Sequence, residues 1–177
     1  MKRIKVFGSM ILIMASVAGP AGVAGATPAN APGAAEYSQA VPAAIRVPAG
    51  NKQVAAFSAV GVQIYGCTGG AWSLIQPAAT LSRRGVPAAI HGKGPIWTST
   101  IDGTSVTAAA VGSSPQPGAI PQLLLKATAN YGDGIFGSVS YIQRLNTRGG
   151  VAPTGYCAEG AQTAVHYTAD YTFWNPA

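Results

Sequence analysis

Two histidines are the clearest candidates for acid–base chemistry in this sequence. They are His91 and His166, and the carboxylates that could serve beside them are Asp102 and Asp170. A histidine paired with a carboxylate acts as a general acid or base in hydrolases and isomerases. No serine stands in a G-x-S-x-G context, so the sequence offers no recognisable nucleophile motif. The catalytic residues, if there are any, are unknown from the sequence.

The same residues do not predict a metal or a cofactor site. The two histidines are single and far apart, whereas metal sites on sheet proteins usually include a local pair such as H-x-H. Residues 132–137 match the dinucleotide pattern G-x-G-x-x-G, but the residues after them alternate like a strand and do not open a helix. We therefore expect a hairpin turn at this motif, no bound metal and no cofactor.

A binding surface is the alternative to an active site. Gly92, Gly94 and Pro95 favour a loop, and loops held on a rigid sheet often carry binding residues. We predict that the segment from His91 to Asp102 forms the rim of the functional surface. The alternative is structural, with Trp97 filling the end of a core and His91 capping a turn. The full set of candidate binding residues is His91, Lys93, Trp97, Asp102, Arg144 and His166.

Short segments of β-branched and aromatic residues, separated by Gly, Pro, Asn and Asp, predict an all-β domain. The predicted strands are 54–59, 62–67, 71–76, 96–101, 104–111, 123–130, 135–145 and 163–174. Apolar and polar residues alternate in the last strand, which places one of its faces in a core. Tight turns are expected at Asp102-Gly103 and at 132–134. The predicted architecture is an antiparallel β-sandwich or a partly closed β-barrel.

The N-terminal residues predict export. Three basic residues within the first five positions precede an apolar run that ends in Ala-Gly-Ala at residue 26, as in a cleavable signal peptide. We expect residues 1–26 to be removed, 27–40 to form a flexible lead-in and 41–177 to fold as a single domain. The mature protein is then extracellular and has no stable membrane insertion.

Charge and cysteine content narrow the possible partners. Without the leader, the chain has eight Lys and Arg against five Asp and Glu, and these basic residues are scattered. A nucleic-acid-binding protein usually shows a clustered basic stripe, so we do not expect that function.

Cys67 and Cys157 lie ninety positions apart, and in an exported chain such a pair most simply forms one disulfide. A reactive thiol with a His partner would instead need an unpaired cysteine.

Longer word patterns are distributed through the domain. In order along the chain they are GVQIYGC (61–67), WSL (72–74), HGKGPIW (91–97), DGTSV (102–106), IP with LLL (120–125), YIQRL (141–145), TRGGVAP (147–153), Cys157 and YTADY (167–171). Together, over about residues 41–174, they resemble a secreted family of bacteria and fungi, the domain of unknown function numbered 3455. One departure is Gln122, where the family pattern has Trp.

The resemblance implies a single extracellular domain and a Cys67–Cys157 pairing, but no established activity. Some fungal members carry a malate dehydrogenase label. This sequence does not support that activity, because it has no glycine-rich loop that opens a helix. We therefore expect a non-enzymatic secreted protein that binds a cell-envelope glycan or a protein. The competing hypothesis is an extracellular hydrolase or isomerase that uses a His and an Asp. Convergence of the candidate residues on one concave pocket would help to separate the two.

Overall fold

Eight β-strands form almost all of the regular structure in the computed structural model of the protein, which describes residues 41–177. The strands, in chain order, are β1 Asn51–Thr68, β2 Ala71–Arg83, β3 Val86–Gly92, β4 Ile96–Ser99, β5 Ser105–Gln116, β6 Ala119–Tyr131, β7 Tyr141–Gly149 and β8 Gln162–Pro176. One short 3-10 helix, Ala43–Ile45, precedes them. The predicted signal peptide, 1–26, and the predicted lead-in, 27–40, lie outside the described residues.

The sheet is antiparallel and closes on itself. Each strand pairs with the next one along the chain, and β8 pairs with β1, so that the strands form a closed barrel. The prediction of an all-β antiparallel domain is confirmed. Closure is complete because β1 and β8 pair along most of their length, from Asn51 opposite Pro176 to Gly66 opposite Gln162. Neither strand is left as an open edge.

Strand β1 is longer than the sequence predicts. Segments 54–59 and 62–67, expected to be two strands, form one strand that continues through Gly61. A Cβ atom at Gly61 would overlap the carbonyl oxygen of Ala78 and the Cα of Ala79. The glycine is therefore needed because β2 approaches β1 closely here, and not because the chain turns.

Two other strand predictions were wrong in part. Strand β3 was missed, because Pro87 and its neighbouring alanines have low strand propensity. Residues 135–140 do not belong to β7. They form a turn in which Phe136 and Val139 are buried, and the side chain of Asn130 donates hydrogen bonds to both of their carbonyl oxygens, at 2.7 and 3.1 Å. The apolar residues in this segment fill the barrel end.

The two halves of the barrel interior differ. Aromatic rings pack one half, where the centroids of Phe57 and Phe173 lie 5.7 Å apart and those of Phe136 and Phe173 lie 4.6 Å apart. The other half contains a cavity.

The predicted disulfide between Cys67 and Cys157 is present and joins the end of β1 to the connection between β7 and β8. Over residues 41–177, no helix has the length and apolar character that a membrane-spanning segment needs.

Candidate ligand-binding cavity

The cavity has a volume of about 270 Å³ and is partly open to solvent. All eight strands contribute residues to its wall. Apolar side chains predominate, among them Leu74, Leu123 and Leu125. The polar lining residues are Gln63, Gln76, His91, Trp97, Arg144 and Tyr171. A concave apolar site with a few polar groups is the usual form of a small-molecule site.

His91 and Trp97 form one wall of the cavity. They are direct cross-strand partners on β3 and β4, and their rings are stacked with centroids 4.2 Å apart. Both side chains are buried, so they point from strands into the barrel and are not displayed on a loop. His91 Nδ1 lies 2.9 Å from the carbonyl oxygen of Ile96. Because a carbonyl oxygen only accepts, Nδ1 carries the proton and Nε2 is unprotonated in the neutral ring.

Burial lowers the pKa of His91 to about 4. The hydrogen bond to Ile96 opposes this shift, and the positive charge of Arg144 adds to it. Removal of an imidazolium from water is unfavourable, and a nearby cation makes it more so. His91 is therefore neutral at physiological pH.

Arg144 and Tyr171 are cross-strand partners on β7 and β8. Nε and Nη2 of Arg144 donate to the carbonyl oxygen of Pro121, at 3.1 and 2.8 Å, which fixes the plane of the guanidinium. The Tyr171 ring lies 5.5 Å from His91 and 5.7 Å from Trp97, measured between centroids. Tyr171 thus connects Arg144 to the His91–Trp97 stack.

Several buried polar atoms around the cavity have no hydrogen-bond partner in the described part of the chain. Two of them, Nε2 of Gln63 and Nε1 of Trp97, belong to residues that line the cavity. The hydroxyl groups of Tyr167 and Tyr171 lie close to each other, and that of Tyr171 also lies close to Arg144, but neither hydroxyl makes a well-formed hydrogen bond. Burial raises the pKa of both tyrosines, so both phenols stay protonated and can donate. Unpartnered buried polar groups are uncommon in folded proteins and need an explanation, such as a ligand or a water. A water or another acceptor in the cavity would satisfy these donors.

No carboxylate balances the charge of Arg144 at the cavity. The acidic residues within 41–177 are Asp102, Asp133, Glu159 and Asp170, and none of them lines it. Asp170 instead accepts a hydrogen bond from Asn146 Nδ2, and Glu159 accepts one from the Gly69 amide. The site therefore combines apolar walls, several donors and one positive charge.

Three of the six predicted binding residues meet at this cavity, namely His91, Trp97 and Arg144. Lys93 is exposed on the turn between β3 and β4, and His166 is exposed on the outer face of β8. Asp102 is exposed on the β4–β5 loop, and it does not pair with either histidine. Gln63 was missed by the sequence argument. It could have been found from the sequence, because alternate residues of β1 from Phe57 to Tyr65 face the interior and Gln63 is the polar residue among them.

Asp102 has a structural role in its loop. Its carboxylate accepts hydrogen bonds from the amide and hydroxyl of Thr104 and from the amide of Ile135, at 3.0, 2.7 and 2.9 Å. The expected two-residue turn at Asp102-Gly103 is a wider loop, although Gly103 has the predicted positive φ, +74°. Asp102 therefore joins this loop to the 135–140 turn.

Replacement of Asp102 by alanine is expected to lower the melting temperature, because three hydrogen bonds to the carboxylate are lost. The Ile135 amide and Thr104 hold the pKa of Asp102 below its usual range. Its stabilising effect is thus present above the unfolded pKa and declines as the pH falls below about 4. Thermal melts at pH 7 and pH 3 measure both effects. Asp133→Ala, an exposed acid without such bonds, is the control; equal melting of both variants would contradict this role.

The motifs for metal and cofactor binding have no counterpart at the cavity. Among residues 41–177, no three His, Cys, Asp or Glu side chains lie close enough to hold a metal ion. The G-x-G-x-x-G match at 132–137 forms part of the connection between β6 and β7, and no helix follows it. The tight hairpin turn predicted at 132–134 is instead the start of a nine-residue connection, 132–140.

Comparison with known proteins identifies a family and nothing closer. No curated protein and no solved structure matches the chain significantly. The model of one family, described as a protein of unknown function (DUF3455), matches residues 86–175. That segment extends from the start of β3 almost to the end of β8, and it includes His91, Trp97, Arg144 and Tyr171. Because the match spans 90 of the 177 residues, the chain belongs to the DUF3455 family.

Proposed function

We propose that this protein is exported and that it binds a small, mainly apolar carboxylate in the barrel cavity, with Arg144 as the anchor. The observation that carries the proposal is the guanidinium of Arg144 at a largely apolar cavity that no acidic residue of 41–177 lines. A charge in such surroundings is stabilised by an anionic partner. The Nη1–H groups and the second Nη2–H of Arg144, which Pro121 leaves free, can hold a carboxylate with two parallel hydrogen bonds. The unpartnered donors of Trp97 and Tyr171 would contact the same ligand.

The size of the cavity limits the ligand. An engineered protein cavity of about 150 Å³ holds one benzene molecule. By the same ratio, a cavity of 270 Å³ has room for roughly eleven non-hydrogen atoms. That is one aromatic ring with a short acidic side chain, for which cinnamate is a suitable probe.

The geometry favours this function over the two that the sequence suggested. A glycan would stack on exposed aromatic rings, and the exposed rings of Tyr131 and Tyr156 do not line the cavity, whereas Trp97 and Tyr171, which line it, are buried. A histidine–aspartate enzyme would need a carboxylate beside His91, and neither Asp102 nor Asp170 lines the cavity. Export is supported by the N-terminal leader pattern and is compatible with the disulfide.

Isothermal titration with cinnamate and with its neutral amide, cinnamamide, tests the proposal. The wild-type protein should bind cinnamate, and the amide should bind at least about tenfold more weakly because the charge-assisted hydrogen bonds are lost. Arg144→Gln should weaken cinnamate binding by a similar factor or more. The quenching of tryptophan fluorescence in a Trp72→Phe/Trp174→Phe variant gives an independent signal, because the remaining tryptophan, Trp97, lines the cavity.

Arg148→Gln is the matched control, because Arg148 lies on the same strand and is exposed. It should bind cinnamate as the wild type does. Equal affinity for cinnamate and cinnamamide, or unchanged cinnamate binding by Arg144→Gln, would exclude the anchor that we propose.

A further inference from the structure

We propose that the cavity selects carboxylates that also carry a hydroxyl group, and that Nε2 of His91 accepts the hydrogen bond from this hydroxyl. The inference rests on the proposed function, since it names the second polar group of the same ligand. It assigns the ligand to the hydroxylated aromatic acids, and it gives His91 a role in specificity.

The tautomer of His91 is set by the protein. Ile96 offers only a carbonyl oxygen to Nδ1, so this nitrogen keeps its proton and Nε2 keeps a free lone pair. The stack on Trp97 holds the ring in place. Nε2 makes no hydrogen bond within residues 41–177, although His91 lines the cavity. The orientation of the ring therefore presents a fixed acceptor.

The other polar groups at the cavity are mainly donors. Arg144, the indole of Trp97 and the protonated phenol of Tyr171 suit the oxygens of a carboxylate. The guanidinium and the indole N–H cannot accept a hydrogen bond from a ligand hydroxyl, and the phenol oxygen is a weaker acceptor than an imidazole nitrogen. The Gln63 amide can rotate either to donate or to accept. The His91 ring has no such freedom, because its Nδ1–H is hydrogen-bonded to the Ile96 carbonyl oxygen and Nε2 is left as the acceptor. A ligand with both an anionic group and a hydroxyl would satisfy both kinds of protein group.

Burial turns this complementarity into selectivity. His91 is only 5% exposed, so a ligand that covers Nε2 without donating to it leaves a desolvated acceptor. Sites that hydrogen-bond a ligand hydroxyl discriminate against analogues that lack it for this reason. The pKa of His91, about 4, keeps Nε2 available as an acceptor across the physiological pH range.

The test compares the affinities of cinnamate and of 3- and 4-hydroxycinnamate by isothermal titration. Wild-type protein should prefer at least one hydroxylated isomer by about fivefold to tenfold, as expected for one added hydrogen bond. His91→Phe keeps an aromatic ring against Trp97 but lacks the acceptor, so the ratio of its affinities for hydroxycinnamate and cinnamate should fall to about one, whatever its affinity for cinnamate itself. His166→Phe, which alters the exposed histidine, should keep the wild-type preference.

Nitrogen NMR of the wild-type protein avoids any dependence on the folding of the variant. With ¹⁵N-labelled histidine, His91 should show a protonated Nδ1 and an unprotonated Nε2, and the Nε2 resonance should move with the preferred hydroxycinnamate but not with cinnamate. If cinnamate binds through Arg144 and neither hydroxylated isomer is preferred, the inference is overturned and the proposed function remains. If no carboxylate binds, both are overturned.

Discussion

Removal of the Cys67–Cys157 disulfide is expected to lower the free energy of unfolding by about 2 to 4 kcal/mol. The bond spans 90 residues, and closing so long a loop in the unfolded chain has an entropic ceiling of about 4.5 kcal/mol. Residual structure in the unfolded state reduces this value. The effect acts mainly on the unfolded chain, so the folded barrel should be unchanged.

The contacts around the disulfide explain why the fold should survive its loss. The amide of Cys67 donates to the carbonyl oxygen of Ala161 at 2.8 Å, and the amide of Gly160 donates to that of Cys67 at 3.1 Å. Glu159 also accepts from the Gly69 amide at 2.7 Å. These bonds hold the β7–β8 connection against the end of β1 without the sulfur atoms.

Urea unfolding of the double variant Cys67→Ala/Cys157→Ala measures the effect. Alanine is chosen because both cysteines are buried and a serine hydroxyl would need a partner there. Reduction of the wild-type protein provides the control, since it opens the same ring without a change of side chain. A loss below about 1 kcal/mol in both experiments would mean that loop closure contributes little here.

The sequence predicts the local parts of this fold well. In β8, Tyr167, Ala169, Tyr171 and Phe173 are buried, as the alternation of the strand indicates. Errors arise where tertiary contacts overrule a local pattern. Residues 135–140 alternate like a strand, but burial of Phe136 and its bond from Asn130 hold them as a turn. Closure of the sheet depends on the pairing of β1 with β8, which no local pattern encodes.

Sequence reasoning found some members of the candidate site, but not Gln63 or Tyr171, and it did not predict how the members come together. His91, Trp97 and Arg144 stand out in the sequence as a histidine, a tryptophan and a cation among strand residues. Their convergence requires the register of four strands, in which His91 pairs with Trp97 and Arg144 pairs with Tyr171. Lys93 and His166 have equally suitable chemistry, yet they are exposed and line no part of the cavity. Whether a residue faces the barrel interior or the solvent is therefore as informative as its type.

Acidification from pH 7 to pH 4 is expected to lower the free energy of unfolding by about 3 kcal/mol through His91 alone. In the unfolded chain a histidine titrates near pH 6.5, but burial keeps the pKa of His91 in the folded protein at about 4. Between these values the unfolded chain binds a proton that the folded protein excludes. Stability is therefore constant above about pH 6.5 and declines as the pH falls towards 4.

The neighbours of His91 do not titrate in this window. Burial raises the pKa of Tyr171, so this phenol stays protonated between pH 7 and pH 4. The hydrogen-bonded carboxylate of Asp102 responds only at lower pH, because its pKa is held down. Urea unfolding at several pH values should therefore show a steep decline for the wild type and for His166→Phe, and a much flatter one for His91→Phe. Parallel curves for the wild type and His91→Phe would contradict this prediction. They would show that His91 is protonated as easily in the folded protein as in the unfolded chain, so that water reaches the ring despite its burial.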